Sequence, residues 1–275
     1  MEEVAVGEAG RVDFAFLDSG TGGIPYMMAL KERVPEASCV YLGDTKNFPY
    51  GEKTPEEVSV CASSAIDLIV RKWNPRTLVI ACNTISVTAL DSLRKKFPSL
   101  PIVGTVPAIK LAAKISTNKR IGFLATNATV NNPYSQKLID DFASDCAVFK
   151  RGDPDLVSFI ERDFFTASQA EKEAAVRPAV GFFKENGCDT IILACTHFTH
   201  IADTVQSVAG AGVKVIDSRD GVTRQALFVS GCSSNPEKIF GGADRPFFVT
   251  AATESQEKEY RRLCEYCRIE YGGVV

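Results

Sequence analysis

The sequence predicts an α/β protein of two pseudo-symmetric domains, each built on a parallel sheet, with the active site between them. Apolar, β-branched runs alternate with helix-like stretches along the 275 residues, a pattern typical of parallel strands joined by crossover helices. The runs also recur in the same order in both halves, which indicates an internal duplication. Matching strands begin 107 to 113 residues apart, at Phe14 and Ile121, Cys39 and Cys146, Thr77 and Thr190, and Pro101 and Val213.

In the first half, helices are predicted to alternate with the strands. The clearest helix start is at Thr54, a suitable N-cap that is followed by Pro55 at the first helical position and by Glu57, placed to close a capping box. Apolar residues then recur at 3.6-residue spacing as far as Trp73, which predicts a face packed on the sheet. The predicted strands cover 12–17, 39–42, 77–81 and 101–105, and the other predicted helices cover 24–33 and 87–97.

The second half repeats this order, and a shorter segment follows it. Strands are predicted over 120–125, 146–150, 190–194 and 213–216, with a long helix over 168–185. A further strand over 246–250 and a helix over 254–267 are expected to complete the first half. The predicted domains are therefore 1–108 together with 219–275, and 109–218. Residues 1–11 are polar and without periodicity, so we expect them to contribute nothing to the fold.

Composition excludes several classes of function. Hydrophobic residues make up 45% of the chain, charged residues 24%, and the net charge is −3, so no basic surface for nucleic acid is expected. The nine cysteines are an odd number in a large chain that shows no secretory leader, which favours reduced thiols in the cytoplasm. No apolar run is long enough to span a bilayer. We therefore expect a cytoplasmic protein with a small-molecule substrate and no nucleic-acid or membrane partner.

Two similar stretches, each an apolar run that ends in a cysteine, are the candidate catalytic segments. Cys82 ends the apolar run 77–81, and Cys195 ends the run 190–194. Ligands bind at the carboxyl ends of parallel strands, so the two thiols are expected to face each other across one substrate. Such a pair can remove a proton from one face of a carbon and replace it on the other. Asp18, at a neighbouring strand end, and His197, two residues after Cys195, are candidate partners for the two thiols.

A carbanion formed between the thiols would need to be stabilised. The sequence shows no dinucleotide fingerprint and no metal-ligand cluster, so hydrogen-bond donors would have to stabilise it. We expect neither a cofactor nor a metal. The pair Cys264 and Cys267 has metal-ligand spacing but lacks a second pair, so these are interpreted as ordinary thiols. The glycine-rich loop 18–23 is either a tight turn or an anion cradle. The candidate donors, all just after strand ends, are Ser19, Asn83, Thr84, Thr129 and Thr196.

Seven segments together resemble glutamate racemase, in order and at the spacing of that family. The resemblance implies two α/β domains and a cofactor-independent interconversion of L- and D-glutamate that supplies D-glutamate for peptidoglycan. It implies that Cys82 takes the proton from the D-enantiomer and Cys195 from the L-enantiomer, assisted by Asp18 and His197. We also expect a homodimer. The matching segments are 18–23, 44–51, 81–84, 103–108, 125–129, 195–197 and 217–218; by the resemblance, the residues that line the substrate site are Ser19, Tyr50, Gly51, Asn83, Thr84 and Thr196.

The sequence leaves other functions open. The chain departs from the family's usual residues at Ile85, Ala194 and Thr199–His200, where the family usually has alanine, glycine and Pro-Leu. Because Ile85 and Ala194 adjoin the two cysteines, a racemase of aspartate, hydantoins or another acidic compound is an alternative. A non-catalytic amino-acid binder and a dithiol redox protein that cycles a bridge between Cys82 and Cys195 are alternatives of other classes.

Overall fold

Two parallel sheets form the framework of the molecule. The computed structural model describes residues 11–232 and 246–275, so nearly all of the expected N-terminal leader lies outside the described residues. In the described part, one sheet has the strand order β10-β9-β2-β1-β3-β4 and the other β6-β5-β7-β8, and all pairings are parallel. The strands are β1 Phe14–Asp18, β2 Cys39–Gly43, β3 Thr77–Ile80, β4 Ile102–Gly104, β5 Arg120–Ala125, β6 Ala147–Gly152, β7 Thr190–Leu193, β8 Lys214–Ile216, β9 Phe247–Val249 and β10 Tyr271–Val274.

The two sheets have the same internal order. Strands β2, β1, β3 and β4 lie side by side in one sheet, and β6, β5, β7 and β8 in the other. Each of these four strands therefore has a counterpart at the matching position of the other half, as the recurring runs predict. The predicted α/β fold with two parallel sheets is confirmed.

Helices connect the strands and cover both faces of each sheet, as parallel sheets require. They are α1 Ile24–Arg33, α2 Pro55–Trp73, α3 Asn83–Lys96, α4 Ile109–Ile115, α5 Asn127–Asn131, α6 Pro133–Phe142, α7 Pro154–Arg162, α8 Gln169–Glu185, α9 Ala202–Ala209, α10 Arg219–Val229 and α11 Glu254–Cys267.

Helix starts follow their capping residues. The predicted capping box of α2 is present: Thr54 Oγ1 accepts from the Glu57 N–H at 3.3 Å, and Glu57 Oε2 accepts from the Thr54 N–H at 2.8 Å. Helix α3 begins at Asn83, four residues before the predicted start, because Cys82 is still extended and takes the N-cap position directly after the strand. The cysteine therefore lies at the junction of a strand and a helix N-terminus.

Side chains from alternate positions of each strand enter different hydrophobic clusters. Phe14 and Phe16 of β1 pack in one cluster, and Ala15 and Leu17 pack in the cluster on the opposite face. The second sheet has two clusters in the same way. Burial on both faces explains why the strands are continuous apolar runs, and it leaves the strand ends as the places where polar side chains collect.

The segment after residue 246 joins the first sheet. Strand β9 pairs with β2, and β10 extends the sheet on the other side of β9. Cys264 and Cys267 of α11 are buried in the cluster that contains Phe14, so these thiols pack in a core. The domain boundaries 1–108 with 219–275, and 109–218, stay a prediction. None of the helices in residues 11–232 and 246–275 has the length and apolar character needed to cross a membrane.

Candidate active site

The carboxyl ends of the two sheets meet. Thr196, just after β7, donates its Oγ1 hydrogen to Asp18 Oδ2 at the end of β1, over 2.7 Å. The hydroxyls of Thr84 and Thr126, one from each half, are 3.1 Å apart. The polar residues that end the strands of one sheet therefore contact those that end the strands of the other, with a pocket between them.

Both cysteines line this pocket. Cys82 and Cys195 are 5% and 4% exposed, so each thiol is nearly removed from solvent. They follow the equivalent strands β3 and β7, and so enter the pocket from opposite halves. The other lining residues are Ser19, Phe48, Pro49, Tyr50, Gly51, Glu52, Asn83, Thr84, Thr126, Asn127, Pro154, Val157, Ser158, Thr196 and His197.

Cys82 lies in an environment that keeps its proton. Burial, followed by the nearby charge of Asp18, raises the pKa of the Cys82 thiol well above its ordinary value. The backbone N–H groups of Ile85 and Ser19 act in the opposite direction, because they hydrogen-bond the thiolate form. Burial also raises the pKa of Asp18, which accepts from the Gly20 N–H at 2.9 Å as well as from Thr196. Burial therefore favours the protonated form of both groups at this end of the pocket.

Cys195 lies beside a charged pair. His197 Nδ1 is 3.9 Å from Cys195 Sγ, and its Nε2 is 2.9 Å from Glu161 Oε2. Burial would lower the pKa of His197, but hydrogen bonds to Cys195 and Glu161 and the charges of Asp18 and Glu161 raise it well above its ordinary value. Burial would raise the pKa of Glu161, but His197 and the hydrogen bonds from Thr21 lower it. We infer an imidazolium–carboxylate pair next to the thiol.

The glycine-rich loop between β1 and α1 packs against this pair. A side chain at Gly22 would place a Cβ only 2.4 Å from His197 Nδ1, and one at Gly20 would lie 2.7 Å from Glu161 Oε1. Thr21 donates its N–H and its hydroxyl to Glu161 Oε2, over 3.0 and 2.7 Å. The loop is a tight turn, closed by the Ile24 N–H on the Thr21 carbonyl at 3.2 Å, and it also binds an anion, which is a carboxylate of the protein itself.

Asn83 presents an unsatisfied polar group to the pocket. It is 2% exposed, and neither its Oδ1 nor its Nδ2 has a hydrogen-bond partner within the protein. A buried amide without a partner costs free energy, so such groups are seldom left unpaired. Because Asn83 is the first residue of the 14-residue helix α3, its amide and the free N–H groups of the first helical turn point to an anionic ligand.

Comparison with known proteins decides the family. A model described as Asp/Glu/Hydantoin racemase matches residues 27–226. The chain belongs to this racemase family. It is 42% identical over 264 residues to a glutamate racemase of Treponema pallidum, which covers 95% of this chain and 96% of that protein. It is 34% identical to a glutamate racemase of Proteus mirabilis over 255 residues, 93% of this chain and 86% of the relative.

A solved structure has the same fold. The crystal structure of Escherichia coli glutamate racemase in complex with L-glutamate and the activator UDP-MurNAc-ala superimposes with a TM-score of 0.82 at 27% identity. The match covers 96% of this chain and 97% of that one. The architecture is therefore that of the racemase family across nearly the whole chain.

Most of the site residues predicted for a racemase come together. Cys82, Cys195 and His197 line the pocket, and Asp18 contacts it through Thr196 and Ser19, whose hydroxyl donates to Asp18 Oδ1 at 3.2 Å. The predicted substrate residues that also line the pocket are Ser19, Tyr50, Gly51, Asn83, Thr84 and Thr196.

Thr129 is placed differently from the other predicted residues. It does not line the pocket; Thr126 does, and Thr126 donates its hydroxyl to Thr129 Oγ1 at 3.1 Å. Thr126 Oγ1 also caps α5 by accepting from the Thr129 N–H, which turns Thr129 into the helix. Thr129 therefore stands behind the lining residue.

Sequence reasoning missed the site residues carried by helix α7. Pro154, Val157, Ser158 and Glu161 recur at helical spacing, and the first three line the pocket while Glu161 binds His197. Among residues 11–232 and 246–275, no three His, Cys, Asp or Glu side chains are grouped so that they could hold a metal ion.

Proposed function

We propose that this protein interconverts L- and D-glutamate by proton transfer between Cys82 and Cys195. The observation that carries the proposal is the placement of two buried thiols in one pocket, at matching positions of two sheets with the same strand order. Inversion at a carbon requires one group on each face, and a duplicated fold supplies such a pair. Two unequal partners, Asp18 and His197, accompany the thiols and assist them in turn.

In the proposed reaction from L-glutamate, the Cys195 thiolate removes the α-proton, and the electron pair stays on the substrate as a carbanion. The Cys82 thiol then gives its proton to the opposite face, which leaves Cys82 as thiolate and Cys195 as thiol. The reverse reaction begins from that state. All steps use side chains alone, so we propose that no cofactor takes part.

The proposed substrate follows from the pocket and from the relatives. Asn83, Thr84 and the N-terminus of α3 offer donors for a carboxylate on the Cys82 side, and Thr196 lines the pocket on the other. The Treponema pallidum and Proteus mirabilis relatives are named glutamate racemases, and the Escherichia coli protein was crystallised with L-glutamate. Ser19, Tyr50 and Gly51, with Thr129 behind Thr126, complete the proposed glutamate site.

Further proposals concern the whole protein. We propose that D-glutamate made by this enzyme serves peptidoglycan synthesis, that the protein works in the cytoplasm, and that it is a homodimer. We also propose that 1–108 with 219–275, and 109–218, are two domains that close on the substrate. The strands of each sheet come only from within one of these sets, which supports the division. Sedimentation with and without glutamate tests the oligomeric state and the closure.

The decisive experiment is incubation of the purified protein with L-glutamate in deuterated water. We expect D-glutamate that carries deuterium at the α-carbon, because the proton comes from a thiol that exchanges with solvent. Cys82→Ser and Cys195→Ser should each lower kcat by at least about 1,000-fold, since a hydroxyl is a far weaker base. Cys146→Ser, a thiol away from the pocket, is the control and should racemise at the wild-type rate.

Three outcomes would contradict the proposal. D-Glutamate without deuterium would exclude transfer through exchanging thiols. Undiminished racemisation in either pocket variant would exclude the two-base mechanism and require a different acid or base on that face of the substrate. A higher kcat/KM for aspartate than for glutamate would assign the chain to a different substrate within the family.

A further inference from the structure

His200 lies outside the pocket but contacts the loop that holds the acid/base machinery. Its Nε2 is 3.0 Å from the carbonyl oxygen of Thr21. Its ring packs edge-on against Phe165, with centroids 5.4 Å apart, and near Phe164 at 6.4 Å. The side chain is partly buried and lines none of the pocket, so substrate contact does not explain its placement.

A continuous series of hydrogen bonds leads from His200 to Cys195. Thr21, whose carbonyl accepts from His200, donates both its N–H and its hydroxyl to Glu161 Oε2. The same carboxylate oxygen binds His197 Nε2, and His197 Nδ1 faces the Cys195 sulfur. Thr21 is 1% exposed, so this series runs through the interior.

His200 is neutral and acts as a hydrogen-bond donor. Burial, and then the positive charges of His197 on the same turn and Arg219 of α10, lower the pKa of His200 to about 4, against the opposing charge of Glu161 on α7. A neutral imidazole has one N–H, and a carbonyl partner requires it on Nε2. The ring is therefore the Nε2–H tautomer at neutral pH, and this hydrogen goes to the Thr21 carbonyl.

We infer that His200 is a positioning residue for the second acid/base: by anchoring the Thr21 carbonyl it holds Thr21 against Glu161, and so keeps Glu161 on His197. The inference rests on the proposed function for its effect on catalysis, but its structural part stands apart from it. Glu161 Oε1 has no hydrogen-bond partner within the protein, so Oε2 carries all the bonds that orient this carboxylate. Loosening Thr21 removes two of them.

The expected consequence is a change in the protonation of His197. With Thr21 displaced, Glu161 pairs less closely with His197, and the pKa of His197 falls toward the value that burial alone favours. His197 would then be neutral in a larger fraction of molecules at pH 7 to 8. Because His200 does not line the substrate pocket, we expect tuning of the reaction and not its loss.

The test compares three variants with the wild type. His200→Leu keeps an apolar side chain of similar bulk but removes the donor. His200→Gln restores an N–H group near the place of Nε2 and is the rescue variant. Phe165→Leu disturbs the same packing without touching the hydrogen bonds, so it controls for a purely structural effect.

The chain suits a direct measurement because it has only two histidines. Nuclear magnetic resonance of protein labelled at histidine follows the titration of His197. The signal that disappears in His200→Leu belongs to His200, and the remaining signal therefore belongs to His197. We expect the apparent pKa of His197 to fall by at least about half a unit in His200→Leu, and to stay at the wild-type value in His200→Gln and Phe165→Leu. The kcat for glutamate should fall about 3- to 10-fold in His200→Leu alone, and the alkaline limb of kcat/KM should move to lower pH.

The outcomes separate this inference from the proposed function. An unchanged His197 titration in His200→Leu would overturn the inference even if the enzyme racemises glutamate. Equal shifts in His200→Leu and Phe165→Leu would assign the effect to packing and overturn it as well. Absence of racemisation in the wild type would overturn the proposed function and leave the titration result standing.

Discussion

The two cysteines differ in the titratable groups that lie near them. Cys82 lies beside Asp18, a carboxyl whose pKa is raised by burial, and Cys195 lies beside His197, whose pKa is raised well above its ordinary value by its partners. One end of the pocket is thus acidic and hydrogen-bonded, and the other carries a buried ion pair. The fold repeats, but each thiol lies near a different titratable group.

Individual site residues were predictable where they end a strand. Asp18, Cys82 and Cys195 each follow an apolar run, and sequence periodicity marks the end of such a run clearly. Glu161 gives no such signal, because it lies on a helix, 36 positions from His197, and one carboxylate on a charged helical face resembles any other. Only the folded arrangement shows that this carboxylate is buried and paired.

Asn83 offers a prediction in which stability and activity respond differently. In Asn83→Ala, kcat/KM for glutamate should fall about 100-fold, because a donor to the substrate carboxylate is lost. The free energy of unfolding should stay within about 0.5 kcal/mol of the wild type or rise, because neither amide atom has a partner to lose. Steady-state kinetics and urea unfolding measure the two effects.

Ser135 provides the matched control for that prediction. Its hydroxyl is also buried without a partner, but it lies on α6 and does not line the pocket. Ser135→Ala should leave both kinetics and stability unchanged. A loss of more than about 1 kcal/mol in Asn83→Ala would show that the amide is satisfied inside the protein, and would remove the argument that it awaits a ligand.

Among the elements, α7 contributes three lining residues and Glu161 to the site and was not predicted. It has only nine residues, begins with Pro154 directly after a Gly-Asp pair, and is easily taken for a loop. Its N-cap is Asp153, whose Oδ1 accepts from the Leu156 N–H at 3.1 Å and whose Oδ2 binds Arg151. The strands and the long helices were predictable because their periodicity extends over many residues. Strand β10 was missed because its two central residues are glycines.

The cap of α7 should therefore control the position of Glu161. Asp153→Ala removes the acceptor and should lower the free energy of unfolding by about 1 to 2 kcal/mol. The kcat should fall several-fold with little change in KM, because the far end of the helix holds Glu161 on His197. Asp153→Asn keeps a capping oxygen and should retain most of the stability and activity. Thermal unfolding and glutamate kinetics distinguish the variants. Equal losses in Asp153→Ala and Asp153→Asn would show that the carboxylate charge, and not the capping oxygen, is needed.

At the scale of the whole molecule, the two halves are joined at their strand ends by polar contacts. Thr196 binds Asp18, Glu161 binds Thr21, and the hydroxyls of Tyr26 and Ser218 are 2.9 Å apart. The duplication itself was predictable, because a constant offset between matching strands survives in the sequence. The contacts between the halves were not, since they join single polar residues that have no periodic pattern.

The buried pair of Glu161 and His197 should make stability depend on pH. The pKa of His197 is raised in the folded state, so its contribution is complete below the unfolded value of about 6.5 and is lost as the pH rises through the folded value. The pKa of Glu161 is lowered, so its contribution is present above about 4.5 and is lost as the pH falls through the folded value. The pair therefore stabilises the fold most between these two unfolded values.

The proton on His197 also sets the slope of the free energy of unfolding against pH. Above the unfolded value and below the raised folded value, the folded state retains a proton on His197 that the unfolded state has released, so the free energy of unfolding should decrease with pH by up to about 1.4 kcal/mol per unit from this group. Glu161→Gln removes the charge that holds this proton and should flatten the slope. Glu171→Gln, at an exposed cap of α8, is the matched control and should run parallel to the wild type above pH 6. Urea unfolding at several pH values measures the slopes, and parallel curves for the wild type and Glu161→Gln would show that His197 is neutral in the folded protein.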